Sequence, residues 1–337
     1  MKTEPTSILA FRNGSIGNTL VAVPALRALR KRYPEVQLSV VVDPLGFELL
    51  EHCLWIDDLI VYDKRGRDRG WAAHLRLIRR LRRLEPSHAV LFKRFFRNGL
   101  LAYLSGARVR AGFRSAGHSP FLNVTIPYDE TVNIVDLNLR LAALLDATSE
   151  DRTLEMYLSN EDREQASTFL RKTIGSGTPY VTAYFGGQTV LPDFLPLPAF
   201  VQLIRAVTED RYPVLIIGAG AYETRLACEM QQNLPASFVA TEFPLRVSAA
   251  VIEGAQIFIG LSSGPAHLAA AVKTPALVVL RPDATTYSEQ AKWLPVGDEI
   301  IPMRVPDGLG GPSELSAMAE VQYARRLLFD KMKAPVP

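Results

Sequence analysis

The chain has 337 residues, of which 48% are hydrophobic and 22% are charged, and its net charge is only +3. This composition is typical of a globular protein, and the length suits two domains of roughly 150 residues each. No apolar run approaches the roughly 20 residues that span a bilayer, and Cys53 and Cys228 form no CxxC pair. The sequence therefore predicts a cytoplasmic protein without a secretion signal, a disulfide framework or a zinc site.

The charge is unevenly distributed along the chain. Residues 1–150 hold 22 Lys and Arg against 15 Asp and Glu, whereas the rest of the chain holds 16 against 20. Between Lys64 and Tyr128 there are 15 basic residues, and the acidic residues there are Asp68 and Glu85. Such a local excess attracts anions such as phosphates, nucleic acid or an acidic membrane surface.

In the first half, strand and helix patterns alternate, which predicts a mostly parallel sheet. Short apolar runs predict strands at Ile8–Phe11, Val36–Asp43, Asp57–Asp63 and His88–Phe92. Helical spacing of the apolar residues predicts helices at Thr19–Tyr33 and Trp71–Leu84. In the second of these helices, one apolar stripe is expected to contain Trp71, Leu75, Ile78 and Leu81.

The second half repeats the alternation after a polar stretch, Asp146–Thr153, so the domain boundary is expected between residues 150 and 175. The predicted strands are Tyr180–Phe185, Tyr212–Gly220, Ala255–Gly260 and Pro275–Leu280. The predicted helices are Glu161–Lys172, Pro198–Thr208, Tyr222–Gln232, Gly264–Val272 and Glu314–Met332. Two doubly wound sheets would bind a ligand at the carboxyl ends of their strands.

Glycine-containing loops follow three of the predicted strands. In NGSIGN (Asn13–Asn18), glycine allows backbone N–H groups to approach a ligand at a helix N-terminus, although such loops also simply turn the chain. GAGAYE (Gly218–Glu223) is not GxGxxG, so it does not indicate NAD binding. The third loop, Ser262–Gly264, precedes Pro265 at a position where a first-turn proline is tolerated.

Two long stretches resemble glycosyltransferase family 9, the heptosyltransferases. They are RNGSIGNTLVAVPALRALRKRYP (Arg12–Pro34) and FIGLSSGPAHLAAAVKTPALVVL (Phe258–Leu280), which resemble the family's S-x-G-D loop with a PALRAL-like helix and its D-T-G-x-x-H-L-A-A-A signature. The resemblance implies an α/β GT-B fold, with two Rossmann-like domains whose parallel sheets face a cleft. It also implies an acceptor-binding domain at residues 1–165, a nucleotide-sugar-binding domain at 166–313, and a C-terminal helix at 314–337 that packs back on the first domain.

The same resemblance implies an inverting glycosyltransferase that takes a heptose-like sugar from ADP-heptose or another NDP-sugar without a metal or cofactor. The sequence contains no Asp-x-Asp pair to hold a divalent cation on the diphosphate. The implied donor contacts are Thr189 near the phosphates, Glu223 at the ribose hydroxyls, Phe243 at the adenine, and Ser262, Ser263, Gly264 and His267 at the sugar and diphosphate. The expected acceptor-side residues are Ser15, Gly17, Lys64, Arg65 and Arg67.

Three charged family positions differ in this chain. Asn18 replaces the S-x-G-D aspartate that is thought to act as the general base, and a neutral amide cannot take that proton. Asp193 stands where the family has a lysine, and Ser262 replaces the aspartate of D-T-G. We therefore expect Asn18 to cap the first helix and to orient the acceptor, and we consider Asp193 as the replacement carboxylate.

The family's usual acceptor is the anionic lipopolysaccharide core, which would place the protein peripherally at the inner membrane. The basic run Lys64–Arg83 suits an anionic acceptor or membrane, and it also fits a solvated helix face. Transfer to a small molecule such as an antibiotic or nucleoside intermediate, a non-catalytic GT-B relative, and an NDP-sugar epimerase are the alternatives. No nucleic-acid-binding module is recognisable, and the sequence identifies neither the sugar nor the oligomeric state.

Overall fold

The computed structural model describes residues 4–114, 119–186, 195–280, 291–305 and 312–330. The chain divides into two compact units, Met1–Tyr157 and Leu158–Pro337. The boundary therefore precedes the expected one at residue 165, because the helix that begins at Asn160 belongs to the second unit. Asp162 in its first turn accepts a 2.7 Å ion-pair hydrogen bond from the buried Arg246 and so fastens the helix to that unit.

The first unit is a six-stranded parallel sheet with helices. Its strands are β1 (Ser7–Phe11), β2 (Gln37–Val42), β3 (Asp58–Val61), β4 (His88–Leu91), β5 (Val109–Phe113) and β6 (Val124–Ile126). Its helices are α1 (Ile16–Leu20), α2 (Val23–Arg32), α3 (Pro44–Leu50), α4 (Trp71–Arg83), α5 (Phe96–Leu104) and α6 (Ile134–Ala143), with a 3₁₀ turn at Ser119–Phe121. The strand order is β3-β2-β1-β4-β5-β6.

The second unit contains a sheet of the same kind. Its strands are β7 (Val181–Tyr184), β8 (Val214–Ile217), β9 (Ser237–Ala240), β10 (Phe258–Leu261), β11 (Ala276–Leu280) and β12 (Ile300–Arg304), in the order β12-β11-β10-β7-β8-β9. Its described helices are α7 (Asn160–Thr173), α8 (Leu197–Thr208), α9 (Gly220–Asn233), α10 (Leu245–Glu253), α11 (Gly264–Ala271), α12 (Pro312–Ala317) and α13 (Ala319–Asp330). Within the described ranges, no helix is long and apolar enough to pass through a membrane.

Both sheets reverse their strand order beside their first strand. In the first unit β1 pairs in parallel with β2 on one side and β4 on the other, and in the second unit β7 lies between β8 and β10. A doubly wound sheet opens a crevice outside the carboxyl ends of its strands at such a reversal. The two positions at which a ligand is expected are therefore the loops after β1 and β4, and the loops after β7 and β10.

The central strands are buried on both faces, as parallel strands covered by helices must be. Every residue of β1, β4 and β10 is buried, and this explains why their sequences are continuous apolar runs instead of alternating ones. The strands predicted from these runs are confirmed. Most of the predicted strand ends lie within two residues of the observed ones. The predicted first helix, by contrast, is two helices, because Pro24 in the first turn of α2 has no N–H to continue α1.

Helix α4 is rotated relative to the expected apolar stripe. Ala73, Leu77 and Leu81 are its buried residues, whereas Trp71 and Leu75 are exposed. Leu77 and Leu81 belong to the core cluster beneath the helix, and this orientation also lets Arg80 pair with Asp58 at 3.4 Å and Arg82 Nε donate to the Leu104 carbonyl at 2.7 Å. The prediction that Trp71 and Leu75 share the buried stripe is therefore wrong.

The C-terminal helices pack on the second unit. Leu315 of α12 and Val321, Ala324 and Leu328 of α13 are part of the core that also contains the apolar residues of α8. Arg325 donates to the Ala206 carbonyl at 2.7 Å, which satisfies a carbonyl near the end of α8. The apolar face of these helices therefore contributes to the core of the second unit, and the predicted contact of a C-terminal helix with the first domain stays a prediction.

Candidate functional site

Arg12 organises the loop that follows β1. Its side chain is 1% exposed and donates through Nη1 to the Phe92 carbonyl at 2.8 Å and through Nη2 to Asn18 Oδ1 at 2.8 Å. Its Nε also donates to the backbone carbonyl of Asn18. Burial lowers the pKa of the Arg12 guanidinium to about 9, so the group is a cation near neutral pH. Arg12 therefore joins the loops after β1 and β4, which border the strand-order reversal.

Both polar atoms of the Asn18 side chain are hydrogen-bonded. Oδ1 accepts from Arg12, and Nδ2 donates to Ser15 Oγ at 2.8 Å. The residue that caps α1 by position is Ser15, because the helix begins at Ile16 and Asn18 lies in its first turn. The cap interpretation of Asn18 is therefore wrong. Of the other two residues expected here, Ser15 is exposed and Gly17 is buried within α1.

Lys93 and Asp43 also border this loop, and the sequence analysis did not identify either of them. A Cβ added to Gly14, whose φ is +151°, would lie 2.9 Å from Lys93 Nζ. The Gly14 N–H donates to Asp43 Oδ2 at 2.7 Å, and the other carboxylate oxygen of Asp43 accepts from Gly46. Burial lowers the pKa of the half-buried Lys93, and the cations Arg12 and Lys64 lower it further. The loop therefore places an ammonium group beside exposed backbone at the reversal.

A cavity of about 350 Å³ opens beside this loop. Its lining residues come from the loops after β1, β3 and β4 and from the first turn of α5: Asn13, Tyr62, Lys64, Phe95, Phe96, Arg97 and Asn98. Lys64 Nζ lies 5.3 Å from the centre of the Phe95 ring, and Lys93 Nζ lies 4.4 Å from the same centre. The cavity thus combines two amides, aromatic rings and cations, a set that suits an anionic sugar.

A turn centred on Asp63 presents the other two predicted acceptor residues to solvent. The Asp63 carboxylate accepts from the backbone N–H groups of Gly66 at 2.9 Å and Arg67 at 3.1 Å, and these bonds lower its pKa. Arg65 and Arg67 are exposed, and neither lines the 350 Å³ cavity. The structure therefore brings Lys64 to the cavity and leaves these two arginines outside it.

In the second unit, α11 begins directly after β10 with unpaired backbone donors. The Ser262 N–H donates to the Val279 carbonyl at 3.2 Å and so extends the sheet, and Ser263 Oγ donates to the Leu261 carbonyl at 2.9 Å. The N–H groups of Ser263 and Gly264 donate to no atom of the described residues. These two groups, together with the positive end of the helix dipole, form an anion site of two backbone donors.

His267 lies in the first turn of α11 but is not a surface cation. The residue is 4% exposed, and burial lowers the pKa of its imidazole to about 4, against a smaller opposing effect of its bond to the Trp293 backbone. Nδ1 has no hydrogen-bond partner among the described residues. The ring is therefore neutral near pH 7, and positive charge at this loop comes from the helix backbone.

Glu223 presents a carboxylate at the carboxyl end of β8. Its Oε1 accepts from the Tyr184 hydroxyl at 2.6 Å, and its Oε2 accepts from the Ala219 N–H at 2.7 Å. Burial and this bond raise the pKa of Tyr184, so the phenol keeps its proton and donates. Each carboxylate oxygen keeps a free lone pair, so a half-buried Glu223 can accept a further bond from a ligand hydroxyl.

Phe243 follows β9 at the same edge of the sheet. Its half-buried ring packs edge-on against Phe169 of α7, with the ring centres 4.6 Å apart. Next to it, Thr224 donates to Thr241 at 2.8 Å and joins this loop to α9. The structure therefore brings Glu223, Phe243 and the Ser263–Gly264 loop to the carboxyl edge of one sheet.

Two predicted residues, Thr189 and Asp193, lie outside the described residues. Among the residues that are described, no three His, Cys, Asp or Glu side chains cluster in a way that could hold a metal ion. Among the described residues, the groups identified above that can act on an anion are backbone N–H groups at the second edge and Lys and Arg side chains at the first edge.

Comparison with known proteins relates both halves to one group of enzymes. A family model described as glycosyltransferase family 9 (heptosyltransferase) matches residues 74–301. Lipopolysaccharide heptosyltransferase 3 of Escherichia coli is 25% identical over 273 residues, which cover 77% of this chain and 79% of that protein.

Two solved structures have the same fold as this chain. The glycosyl transferase family 9 structure from Veillonella parvula DSM 2008 aligns with a TM-score of 0.81 at 20% identity, covering 98% of this chain and 99% of that one. ADP-heptose lps heptosyltransferase II of E. coli aligns with a TM-score of 0.76 at 17% identity, covering 97% and 99%. The prediction of an α/β protein of the GT-B class is confirmed.

Proposed function

Because the chain belongs to glycosyltransferase family 9, we propose that it transfers a heptose-like sugar from an ADP-sugar to an anionic acceptor of the lipopolysaccharide-core type. The observation that carries the proposal is the carboxyl edge of the second sheet. There, neighbouring loops present the Glu223 carboxylate and two backbone N–H groups at α11 that donate to no described residue. A nucleoside diphosphate needs donors for its phosphates and an acceptor for its ribose.

In the proposed donor complex, the diphosphate lies on the N–H groups of Ser263 and Gly264. Glu223 accepts a hydrogen bond from a ribose hydroxyl, and the loop at Phe243 receives the adenine. Thr189 is proposed to contact the phosphates. The name of the E. coli relative includes ADP-heptose, which supports adenine as the base and heptose as the sugar. Backbone N–H dipoles directed at the diphosphate would stabilise its charge as it leaves, a role that a metal ion can otherwise fill.

The acceptor is proposed to bind at the first edge, where Lys64 and Lys93 flank Phe95. The 350 Å³ cavity has the size of a binding site for one or two sugar rings, and its cations would pair with a phosphate or carboxylate on the acceptor. Ser15, Gly17, Arg65 and Arg67 are proposed to contact more distant parts of the acceptor. The name of the lipopolysaccharide heptosyltransferase supports a lipid-borne acceptor, and hence a cytoplasmic enzyme that works at the inner membrane.

In an inverting transfer, the acceptor oxygen attacks the anomeric carbon while the bond from that carbon to the diphosphate oxygen breaks. ADP leaves, and the acceptor proton passes to a base. Asn18 cannot be that base, because its amide is not basic and is already bonded to Arg12 and Ser15. Asn18 is proposed to shape the loop that orients the acceptor, and Asp193 is proposed as the base.

This assignment is tested by comparing Asp193→Asn with Asn18→Ala at saturating donor. Positioned base catalysis contributes about 10²–10⁴-fold, so the turnover of Asp193→Asn should fall by at least the lower value. Asn18→Ala should lose less, and both variants should keep the affinity for ADP. Full turnover in Asp193→Asn would remove that residue from the chemistry.

The function itself is tested first by nucleotide binding. Thermal-shift measurements with ADP, GDP, UDP and dTDP in the presence of EDTA should show stabilisation by ADP above the other three. Ser263→Pro, which removes one of the two proposed phosphate donors, should reduce that stabilisation. Equal responses to all four nucleotides, or a strict requirement for a divalent ion, would contradict the proposed donor site.

The bonding of Asn18 favours a second candidate, in which the acceptor is a small molecule with an amine. An amine is more nucleophilic than a hydroxyl and depends less on a carboxylate base at residue 18. Product analysis with ADP-heptose and matched amine and hydroxyl acceptors separates the two candidates. Nucleotide binding without transfer to either acceptor would indicate a non-catalytic relative.

A further inference from the structure

Helices α4 and α5 lie side by side on one face of the first sheet. Leu77 and Leu81 of α4 and Leu101 and Ala102 of α5 belong to a single core cluster with the strands beneath them. Arg82 of α4 donates to the Leu104 carbonyl at the end of α5. We name the outward sides of these two neighbouring helices the α4–α5 face.

The α4–α5 face exposes large apolar side chains. Trp71 is 78% exposed and Leu75 one turn later is 41% exposed. On α5, Phe96 and Tyr103 are 58% and 55% exposed beside the Phe121 ring that both contact, and Phe96 also borders the 350 Å³ cavity. Leu54 is the one comparably exposed large apolar side chain outside residues 71–103 in the described part of the first unit. Isolated exposed apolar residues need no explanation, but a concentration of them on adjacent helices indicates a surface that meets another apolar phase.

The same face carries arginines that have no acidic partner. Arg76, Arg79 and Arg83 of α4 are exposed and form no ion pair with any described residue, unlike Arg80, which pairs with Asp58. Arg65 and Arg69, in the turn before α4, are likewise exposed and unpaired among the described residues. With 15 basic residues against two acidic ones between Lys64 and Tyr128, the field of this region is strongly positive.

We propose that the α4–α5 face docks the enzyme on an anionic lipid bilayer, with Trp71 and Leu75 entering the interfacial layer and Arg76 and Arg79 meeting lipid phosphates. Arginines with long apolar stems beside an indole ring and a leucine are the composition of a helix that lies in a membrane interface. Nucleic acid would be attracted by the same charge, but it would not account for a leucine exposed between the arginines. The inference rests on the proposed function, because a lipid-borne acceptor gives this docking its purpose.

Vesicle co-sedimentation tests the proposal with the full chain. The wild-type protein should bind vesicles of phosphatidylcholine and phosphatidylglycerol, should bind phosphatidylcholine alone much less, and should lose binding as salt is raised. Its tryptophan fluorescence should shift to shorter wavelength on binding, and Trp71→Phe should abolish that shift. A shift that persists in Trp71→Phe would contradict insertion of Trp71.

Two double variants separate the contributions of charge and apolar contact. Arg76→Glu with Arg79→Glu should weaken binding to the anionic vesicles by more than about tenfold. Trp71→Ser with Leu75→Ser should weaken vesicle binding, and the binding that remains should still be sensitive to salt. The matched controls, Arg171→Glu with Lys172→Glu on α7 and Tyr323→Ser on α13, should bind like the wild type. Unchanged vesicle binding in both α4 variants would overturn the proposal.

A soluble, delipidated acceptor distinguishes failure of this inference from failure of the proposed function. Sugar transfer to that acceptor should be the same in the α4 variants and the wild type, since these side chains are not part of the proposed donor or acceptor sites. Unchanged transfer to the soluble acceptor also shows that the variants are folded. Absence of transfer in the wild type would contradict the proposed function alone. An oligonucleotide provides the opposite test. If it competes with the vesicles, and if its binding does not depend on Trp71 and Leu75, the face binds a nucleic acid and the membrane assignment is overturned.

Discussion

The carboxyl edges of the two sheets have the same topology, but they offer an anion different kinds of hydrogen-bond donor. At the second edge, the described donors near the strand-order reversal are the backbone N–H groups of Ser263 and Gly264, and the nearby His267 is neutral. At the first edge, the donors are the side chains of Lys64 and Lys93, supported by the buried cation Arg12. The strand order of a doubly wound sheet therefore fixes where a ligand binds and leaves the chemistry to the loops.

The proposed function assigns these two edges to the two substrates of a glycosyltransferase, the donor and the acceptor. The phosphates of a nucleoside diphosphate are anions that the backbone N–H groups at a helix start can receive. An anionic acceptor has charges at more variable positions, which suits flexible cationic side chains on several loops. Variants that act on one edge should therefore change the affinity for one substrate and spare the other.

Replacement of Gly264 by valine should have the largest effect. A branched side chain at the start of α11 would stand over the unpaired N–H groups and hinder the approach of the diphosphate, so the Kd for ADP should rise by more than about 100-fold. Calorimetric titration in EDTA measures this, with Ala319→Val at an exposed helical position as the control. An unchanged Kd would show that the nucleotide binds elsewhere.

Removal of the Lys93 charge should affect the other edge. Lys93→Met should raise the KM for an anionic acceptor by about tenfold or more, in line with the loss of a charged hydrogen bond, and should leave the Kd for ADP unchanged. Lys172→Met on α7 is the matched control. If the acceptor KM does not change, the cavity beside Phe95 is not the acceptor site.

The same residue should give acceptor binding a pH dependence. The pKa of Lys93 is lowered from its ordinary value of 10.5, so its ammonium is present at low pH and is lost as pH rises through the lowered pKa. The acceptor KM of the wild type should therefore rise at a pH below 10.5. Lys93→Arg, which stays charged, should show the rise only at higher pH, and identical profiles would exclude Lys93 as the titrating group.

Glu223→Gln should have a smaller effect, and it should change only the binding of the nucleotide-sugar donor. The amide can still accept one bond, but it cannot accept from both Tyr184 and Ala219 as the carboxylate does. The affinity for ADP should fall by about tenfold, and the preference for ADP over its 2′-deoxy and 3′-deoxy analogues should shrink. Glu229→Gln, exposed on the same helix, is the control. Undiminished discrimination between the analogues would remove Glu223 from the ribose site.

Because the His267 ring is neutral, its protonation state should have no effect on ADP binding near neutral pH, which is the smallest effect expected here. In the folded protein the pKa of the His267 imidazole is lowered from the ordinary 6.5 to about 4. As pH falls, the imidazole is therefore protonated in the unfolded state before it is protonated in the folded state. Folding stability should therefore fall as pH drops from 6.5 towards 4, and His267→Gln should show a shallower fall in the same range. ADP affinity that titrates near pH 6.5 and depends on His267 would contradict a neutral ring.

Much of this arrangement can be predicted from the sequence, because it depends on neighbours along the chain. Buried parallel strands give continuous apolar runs, and the strand–loop–helix at Phe258–Ala271 carries its polar loop and its first-turn proline in one short stretch. Glu223 is similarly close in sequence to the strand that positions it. In each of these cases, local spacing and the family resemblance identify the same residues.

The missed features depend on contacts between distant residues. Lys93 is separated by 79 residues from Gly14, the glycine it approaches, and Arg12 reaches Phe92 across the sheet. The buried side of α4 packs on strand residues such as Leu9 and Leu91, which the periodicity of the helix itself does not reveal. These features follow from tertiary packing, which local patterns do not encode.

The most direct test of the account is transfer from ADP-heptose to a soluble core oligosaccharide, followed by mass spectrometry in the presence of EDTA. The two edges of the wild-type enzyme should act together, so that each acceptor gains one heptose for each ADP released, and removal of the acceptor's phosphate and carboxylate groups should suppress the reaction. Release of ADP without a glycosylated product, or equal transfer to charged and uncharged acceptors, would contradict the division of the two substrates between a backbone donor site and a cationic acceptor site.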